Sequence, residues 1–267
     1  MPDDSAIAHA AHRLREARRV VVITGAGVSA ESGLRTFRGS TSATAVELPK
    51  DMQALWKEFD PASLATPEAF EANPEMVTRW YDWRRLGCLA AEPNPGHRAL
   101  AEIERRLSAP ERGGAFTLLT QNVDRLHHRA GSRNVVELHG TIITWRCTRT
   151  GREIEPPGEP MPVFPPPSPF APGALLRPNV VWFGEALPQQ ALETAHRVSC
   201  DCDVFMSIGT SSVVWPAAGF VELAASHGAF CIEVNAEVTP ASRRMDATLR
   251  GRSGEILPRL VAAAWGE

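Results

Sequence analysis

The chain alternates between short runs of consecutive apolar residues and longer stretches where apolar residues recur every three or four positions. The runs are VVVIT (20–24), FTLLT (116–120), NVVELH (134–139), NVVWFG (179–184), DVFMSIG (203–209) and FCIEVN (230–235). They show little apolar–polar alternation, the pattern of strands covered on both faces. Between several of them lie helical patterns such as PQQALETAHRVSC and PAAGFVELAASHG. This alternation predicts an α/β fold with a doubly wound parallel sheet, Rossmann-like and six-stranded. Two segments break the pattern. Residues 40–91 read as helical and rich in Trp and Arg, and residues 144–178 read as irregular, with nine prolines between Pro156 and Pro172. The expected organisation is a Rossmann-like domain of residues 1–39, 92–143 and 179–267. Residues 40–91 and 144–178 then form a smaller domain, a helical module plus a proline-rich one.

In an open parallel sheet the ligand lies at the carboxyl ends of the strands. Polar clusters follow the runs in that way: Thr24-Gly25-Ala26-Gly27, Thr120 to Asp124, His139-Gly140, Gly184-Glu185, Gly209 to Ser212, and Asn235. Gly25-x-Gly27-x-x-Ala30 fits the dinucleotide pattern, in which glycines permit a tight turn and close approach to a pyrophosphate at a helix N-terminus. The usual sequel is missing. A second strand ending in an acidic residue belongs roughly 20 positions further on, but no strand precedes Glu47 or Asp51 in TSATAVELPKDMQALW. An ordinary dehydrogenase is thereby excluded.

Two further features carry chemistry. Of the eight histidines, His139 alone sits at a strand tip against a glycine, at the ligand edge. An imidazole there can accept a proton at neutral pH or can serve structure alone. Tyr81 and Arg84 in WYDWRR share a helix face. Phenol and guanidinium together can hold a carboxylate, and the bland alternative is a surface arginine beside a core aromatic.

Composition narrows the class further. The net charge of −3 gives no basic surface for nucleic acid, and no apolar run is long enough to span a membrane. The start, MPDDSAIAHAAHRLREARR, lacks the apolar core of a signal peptide. The five cysteines, Cys88, Cys147, Cys200, Cys202 and Cys231, contain no CxxC pair. Together these lead to the expectation of a cytoplasmic protein.

The chain resembles the sirtuins, NAD-dependent protein deacylases. The matching stretches are GAGVSAESGLRTFRG, TQNVDRLHHRAG, ELHG, RPNVVWFGEALP, GTSSVVWPAAGF, EVN and GRSGEILPRL, in the family's order. DPASLATPEAFEANPEMVTRWYDWRR is most similar to the bacterial and mitochondrial branch that prefers acidic acyl groups. In sirtuins a cofactor loop containing FRG (Phe37-Arg38-Gly39 here) replaces the second strand. The resemblance implies that Gly25, Ala26 and Gly27 lie along the pyrophosphate with Arg38 nearby. Gln121 and Asn122 then hold the nicotinamide ribose, and Asp124 the nicotinamide amide. Gly209, Thr210 and Ser211 serve the phosphate and adenosine side, Asn235 the adenosine ribose and Ser253 the adenine. Val181, Trp182, Phe183 and Gly184 line the acyl-lysine channel and pair a substrate strand, while Tyr81 and Arg84 bind an acyl carboxylate. His139 is the general base, with Asn122 beside it in the catalytic set.

Two departures stand out. Most sirtuins carry two CxxC pairs holding structural zinc. Here Cys147 matches the first position, Thr150 the second, and Pro169 and Pro172 the others. One thiolate cannot make a tetrahedral site, so no zinc is expected. Between FRG and Ala54-Leu55-Trp56, 14 residues intervene, Ser40 to Gln53, more than in close relatives. The expected activity is transfer of the acyl group from lysine of a protein substrate to ADP-ribose with release of nicotinamide, with a leaning to succinyl or malonyl over acetyl. The alternatives are an NAD glycohydrolase or ADP-ribosyltransferase without deacylation, and a non-catalytic NAD or ADP-ribose sensor.

Overall fold

The computed structural model describes residues 4–34 and 61–266. Arg38, the rest of FRG and the 40–53 insertion lie outside them. After the opening helix α1 (Asp4–Glu16), β1 (Arg19–Thr24) is buried on both faces. Its alternate residues feed different cores. Val20 and Val22 pack with Ile7 and Leu14 of α1, while Val21 and Ile23 face the other side with Phe205 and Phe220. A strand so placed has no solvent face, which is why its sequence lacks alternation.

Six strands form the main sheet. They are β1, β2 (Ala115–Thr120), β3 (Val135–Glu137), β7 (Val204–Ile208), β8 (Phe230–Asn235) and β9 (Ala247–Arg250), in the order β3-β2-β1-β7-β8-β9. Every pairing is parallel. Helices α6 (Pro95–Leu107) and α10 (Ser253–Trp265) cover one face beside α1, and α8 (Gln189–Asp201) and α9 (Gly219–Ser226) the other. This is the doubly wound fold predicted, with one strand exchanged. The run NVVWFG is not in the main sheet. Its first residues complete β6 (Leu176–Val180), which pairs antiparallel with β4 (Gly140–Cys147), and β4 also pairs with β5 (Glu153–Ile154). The sixth parallel strand is β9, ATLR, which is short and alternates buried with less buried residues at the sheet edge.

The second sheet organises the region expected to be irregular. Ile142, Trp145, Leu176 and Val180 pack against Val77, Trp80, Tyr81 and Trp83 of helix α5 (Pro74–Ala90) in a core of their own. Helices α3 (Pro61–Leu64) and α4 (Pro67–Ala72) precede α5. Asn73 starts α5 by accepting the Met76 N–H at 3.0 Å, with Pro74 in the first turn, where its missing N–H does no harm. Two residues of WYDWRR, apart from the expected pair, fasten this module. Arg85 and Asp82 form a buried ion pair at 2.7 Å. Arg85 also donates to the carbonyls of Pro157 and Glu159, and Asp82 accepts the Met161 N–H. The pair thus satisfies backbone groups of the proline-rich arm, which forms little secondary structure to satisfy them itself. No helix among the described residues is long and apolar enough to cross a membrane.

Candidate active site

The strand order reverses where β1 pairs with β2 on one side and β7 on the other. There the loops leaving β1 and β7 meet backbone to backbone. The Gly25 N–H donates to the Ile208 carbonyl at 3.1 Å, and the Gly27 N–H to the Gly209 carbonyl at 2.8 Å. A Cβ on Gly25 would stand 2.8 Å from the Thr210 Cα, and one on Gly27 2.7 Å from the Gly209 oxygen. The glycines are required by this loop-on-loop contact, a reason the sequence pattern alone does not supply. They open helix α2 (Ala26–Ala30), with Gly27 exposed and Gly25 buried.

Beneath α2 lies a buried polar network. The Ser29 hydroxyl donates to Asp124 at 2.7 Å, and Asn122 Nδ2 donates to Ser29 and to the Gly25 carbonyl, each at 3.0 Å. Asp124 also accepts the Leu126 N–H, opening helix α7 (Leu126–Arg129). Burial pushes the Asp124 carboxyl up, and these hydrogen bonds oppose the shift. His97 joins from α6. Its Nδ1 accepts the Asn94 N–H at 3.3 Å, so the proton sits on Nε2, 3.5 Å from the Ser29 hydroxyl. Asn94 ties α6 to α2 through the Val28 carbonyl at 2.7 Å. His127 lies tilted against His97, ring centroids 4.8 Å apart, and meets Thr24 Oγ1 at 3.0 Å. Burial pushes His97 down to about 4 and His127 well below the ordinary range, so both are neutral.

The cluster residues expected from the sequence converge above this layer. Gln121 Nε2 donates to Thr210 Oγ1 at 2.9 Å, and Asn235 Nδ2 to the Thr210 carbonyl at 2.8 Å. One hydrogen-bonded chain thus spans the ends of β2, β7 and β8. Ser211 is exposed just beyond it. Ser253 is buried, and its hydroxyl donates to Glu31 at 2.6 Å, while the Gly254 N–H donates to the same oxygen at 2.9 Å. Glu31, which ends α2, thus accepts from the first turn of α10, and only the lone pairs of the Ser253 hydroxyl are left for another partner.

His139 follows β3, partly buried. Its Nδ1 lies 3.0 Å from the Gln121 carbonyl, which only accepts. Nδ1 therefore carries the proton, and Nε2 keeps its lone pair. Burial lowers the His139 pKa, with the carbonyl contact opposing, so the base form persists at neutral pH.

The segment after β6 bends beside His139. The Val181 N–H donates to the His139 carbonyl at 2.9 Å, Phe183 N–H to the Ala65 carbonyl at 2.9 Å and Trp182 N–H to Glu185 at 2.8 Å. The N–H groups of Val181, Trp182 and Phe183 are thus taken, and the Trp182 carbonyl accepts the Glu185 N–H at 3.0 Å, so a substrate strand is left the other carbonyls of this run. Trp182 is buried, Phe183 is 47% exposed and Gly184 is exposed with φ +87°. Tyr81 is buried against Trp182, ring centroids 6.2 Å apart, and the Arg84 guanidinium carbon lies 5.4 Å from the Tyr81 centroid. Burial pushes the Tyr81 phenol up to about 12, so it is neutral.

Sequence reading missed Ser29, His97 and Asn94. The signals were there: Ser29 is four positions past Gly25, and Asn94-Pro95-Gly96-His97 reads as a reciprocal helix cap.

Fold and site together define an α/β protein of the nucleotide-binding class, with its ligand edge at the switch point of a 3-2-1-4-5-6 sheet. The chain belongs to the Sir2 family, whose sequence profile matches residues 25–216. It is 44% identical over 268 residues to NAD-dependent protein deacylase 1 of Pseudomonas aeruginosa, covering 94% of this chain and 96% of the relative. It is 46% identical over 251 residues to an NAD-dependent protein deacylase of Thermus thermophilus, covering 93% and 91%. A crystal structure of a Sir2 homologue in complex with NAD superposes with a TM-score of 0.84 at 40% identity, covering 98% of this chain and 93% of that one.

Proposed function

We infer that this protein is an NAD-dependent protein deacylase acting on acylated lysine. The observation that carries the reading is His139: Nδ1 is committed to the Gln121 carbonyl and the unprotonated Nε2 stands at the ligand edge. The residues suit NAD in kind. The strand ends offer hydroxyls and carboxamides for ribose and phosphate, and Asp124 is a buried acceptor for an amide N–H. Gly25, Ala26, Gly27, Gly209, Thr210 and Ser211 would hold the phosphates, Gln121, Asn122 and Asn235 the riboses, Asp124 the nicotinamide, and Ser253 would face the adenine, with Arg38 contributing from outside the described residues. When bound, NAD supplies the ribose that receives the acyl group and the nicotinamide that leaves. His139 takes a hydroxyl proton at Nε2, while the Gln121 carbonyl fixes the imidazole's tautomer and favours the cation that forms. Asn122 is fixed by Gly25 and Ser29, so its carboxamide is presented without rotation. Val181, Trp182, Phe183 and Gly184 confine the acyl-lysine and keep water out.

The acyl preference belongs to the branch of the family that the sequence resembles. Tyr81 and Arg84 supply a neutral donor and a cation on one face of α5, which favours succinyl and malonyl over acetyl. The residues do not fit a structural zinc. Cys147 is the one thiolate among the four corresponding positions, and no group of three or more His, Cys, Asp or Glu gathers among the described residues. Hydrogen bonds hold this part of the module: Thr148 N–H to the Leu175 carbonyl at 2.9 Å and Ser168 N–H to the Ala174 carbonyl at 2.8 Å. We place the protein in the cytoplasm on the cysteine pattern.

The reading is tested by incubating acetyl- and succinyl-lysyl peptides with the enzyme, with and without NAD, and weighing the products. NAD-dependent loss of the acyl group, absent in His139→Ala, is expected. Nicotinamide release that is indifferent to peptide would point instead to a glycohydrolase.

A further inference from the structure

Trp182 is held with unusual firmness for a residue on a loop. The Arg177 guanidinium carbon lies 3.2 Å from its ring centroid. Its backbone N–H donates to Glu185, and Glu185 is gripped by Arg177 through two contacts at 2.6 and 3.0 Å. Phe70 packs on it with ring centroids 5.3 Å apart. These contacts close residues 177–185 into a handle and fix the direction of the indole.

So fixed, the buried indole Nε1–H makes no hydrogen bond. The Tyr81 hydroxyl lies within its reach, the two ring centroids 6.2 Å apart. A buried donor left unmade is unfavourable, and with the indole fixed a small shift of the Tyr81 side chain cures it. A phenol has one proton and two lone pairs. If the indole N–H occupies a lone pair, the Tyr81 proton must point elsewhere. Arg84, on the same helix face as Tyr81, is a pure donor. A group that accepts from both at once is a carboxylate. Without the indole N–H, the phenol can turn its oxygen toward that carboxylate and repel it.

We propose that Trp182 is a specificity-determining positioning residue: its indole N–H donates to the Tyr81 oxygen and so aims the phenol proton at the carboxylate of an acidic acyl group beside Arg84. This rests on the acidic-acyl reading above. Phenylalanine at 182 would keep the aromatic face for Arg177 and lose only the donor.

The test is a double-mutant cycle of Trp182→Phe and Tyr81→Phe, with Arg84→Met as reference, assayed on succinyl- and acetyl-lysyl peptides of one sequence. Thermal melts confirm that each variant folds. The ratio of succinyl to acetyl kcat/KM should fall about three- to tenfold in Trp182→Phe, as loss of one neutral hydrogen bond implies. The fall should lie in KM, and adding Trp182→Phe to Tyr81→Phe should lower the ratio no further. Equal losses on both peptides, or a ratio that drops independently of Tyr81, overturn the proposal. If Arg84→Met abolishes the succinyl preference while Trp182→Phe retains it, the inference fails and the acidic-acyl reading stands. If the wild-type enzyme shows no succinyl preference, both fail.

Discussion

Acid is the perturbation that tests the buried network most directly. His97 is fully buried, and desolvation, with the Arg98 charge second, holds its imidazole at about 4 against an ordinary value of 6.5. A folded pKa below the unfolded one means that stability is fully present above 6.5 and is lost as pH falls toward 4. In that window the unfolded chain binds a proton that the folded chain refuses. Integrated from pH 7 to pH 5, this one site contributes a loss of about 2 kcal/mol. His127 is shifted the same way and adds to it. Glu102, Glu185 and Asp203 are held low beside arginines, so they stay charged throughout and do not blur the result. Urea unfolding at pH 7, 6 and 5 should show stability falling steadily. In His97→Gln the slope should be shallower, by up to about 1.4 kcal/mol per pH unit near pH 5. Parallel slopes in the two proteins would mean that His97 is not buried in the neutral state, and the network would need redrawing.

Other perturbations probe separate parts of the molecule. Arg84→Met should reduce desuccinylation about tenfold or more relative to deacetylation, because a charged hydrogen bond is lost; equal kcat/KM losses on both peptides would refute an acidic-acyl pocket. Arg85→Ala strands the buried Asp82 charge and two carbonyls, and should lower the unfolding free energy by about 3–5 kcal/mol, read by denaturant titration. A loss below about 1 kcal/mol, typical of a surface pair, would show that the clamp is not formed. Elemental analysis of purified enzyme should find no stoichiometric zinc, and EDTA should leave the melting temperature unchanged. Finally, because burial depresses His139, deacylation should hold its rate as pH falls to 6.5 and decline below it; a midpoint above 6.5 would assign the base elsewhere.

The sequence by itself determined the layered fold and the edge at which its polar clusters gather. Runs such as VVVIT are apolar at every position, and only a strand covered on both faces tolerates that. The glycines, Gln121, Asn122, Asp124, His139 and Asn235 follow such runs, so their convergence is legible in the chain alone. What tertiary structure decided is pairing. NVVWFG resembles a buried strand as well as any other run, yet its partner is β4, because pairing depends on neighbours that periodicity does not encode. The same holds for the layer under the site. Ser29, His97 and His127 come from three separate segments, and whether a histidine is buried and neutral depends on what surrounds it. Nothing in the local pattern marks Asp82 and Arg85 as buried, since the arm they clamp lies more than 70 residues away in the chain. Local pattern fixes what each segment can become, and long-range contact fixes which polar groups are left without water.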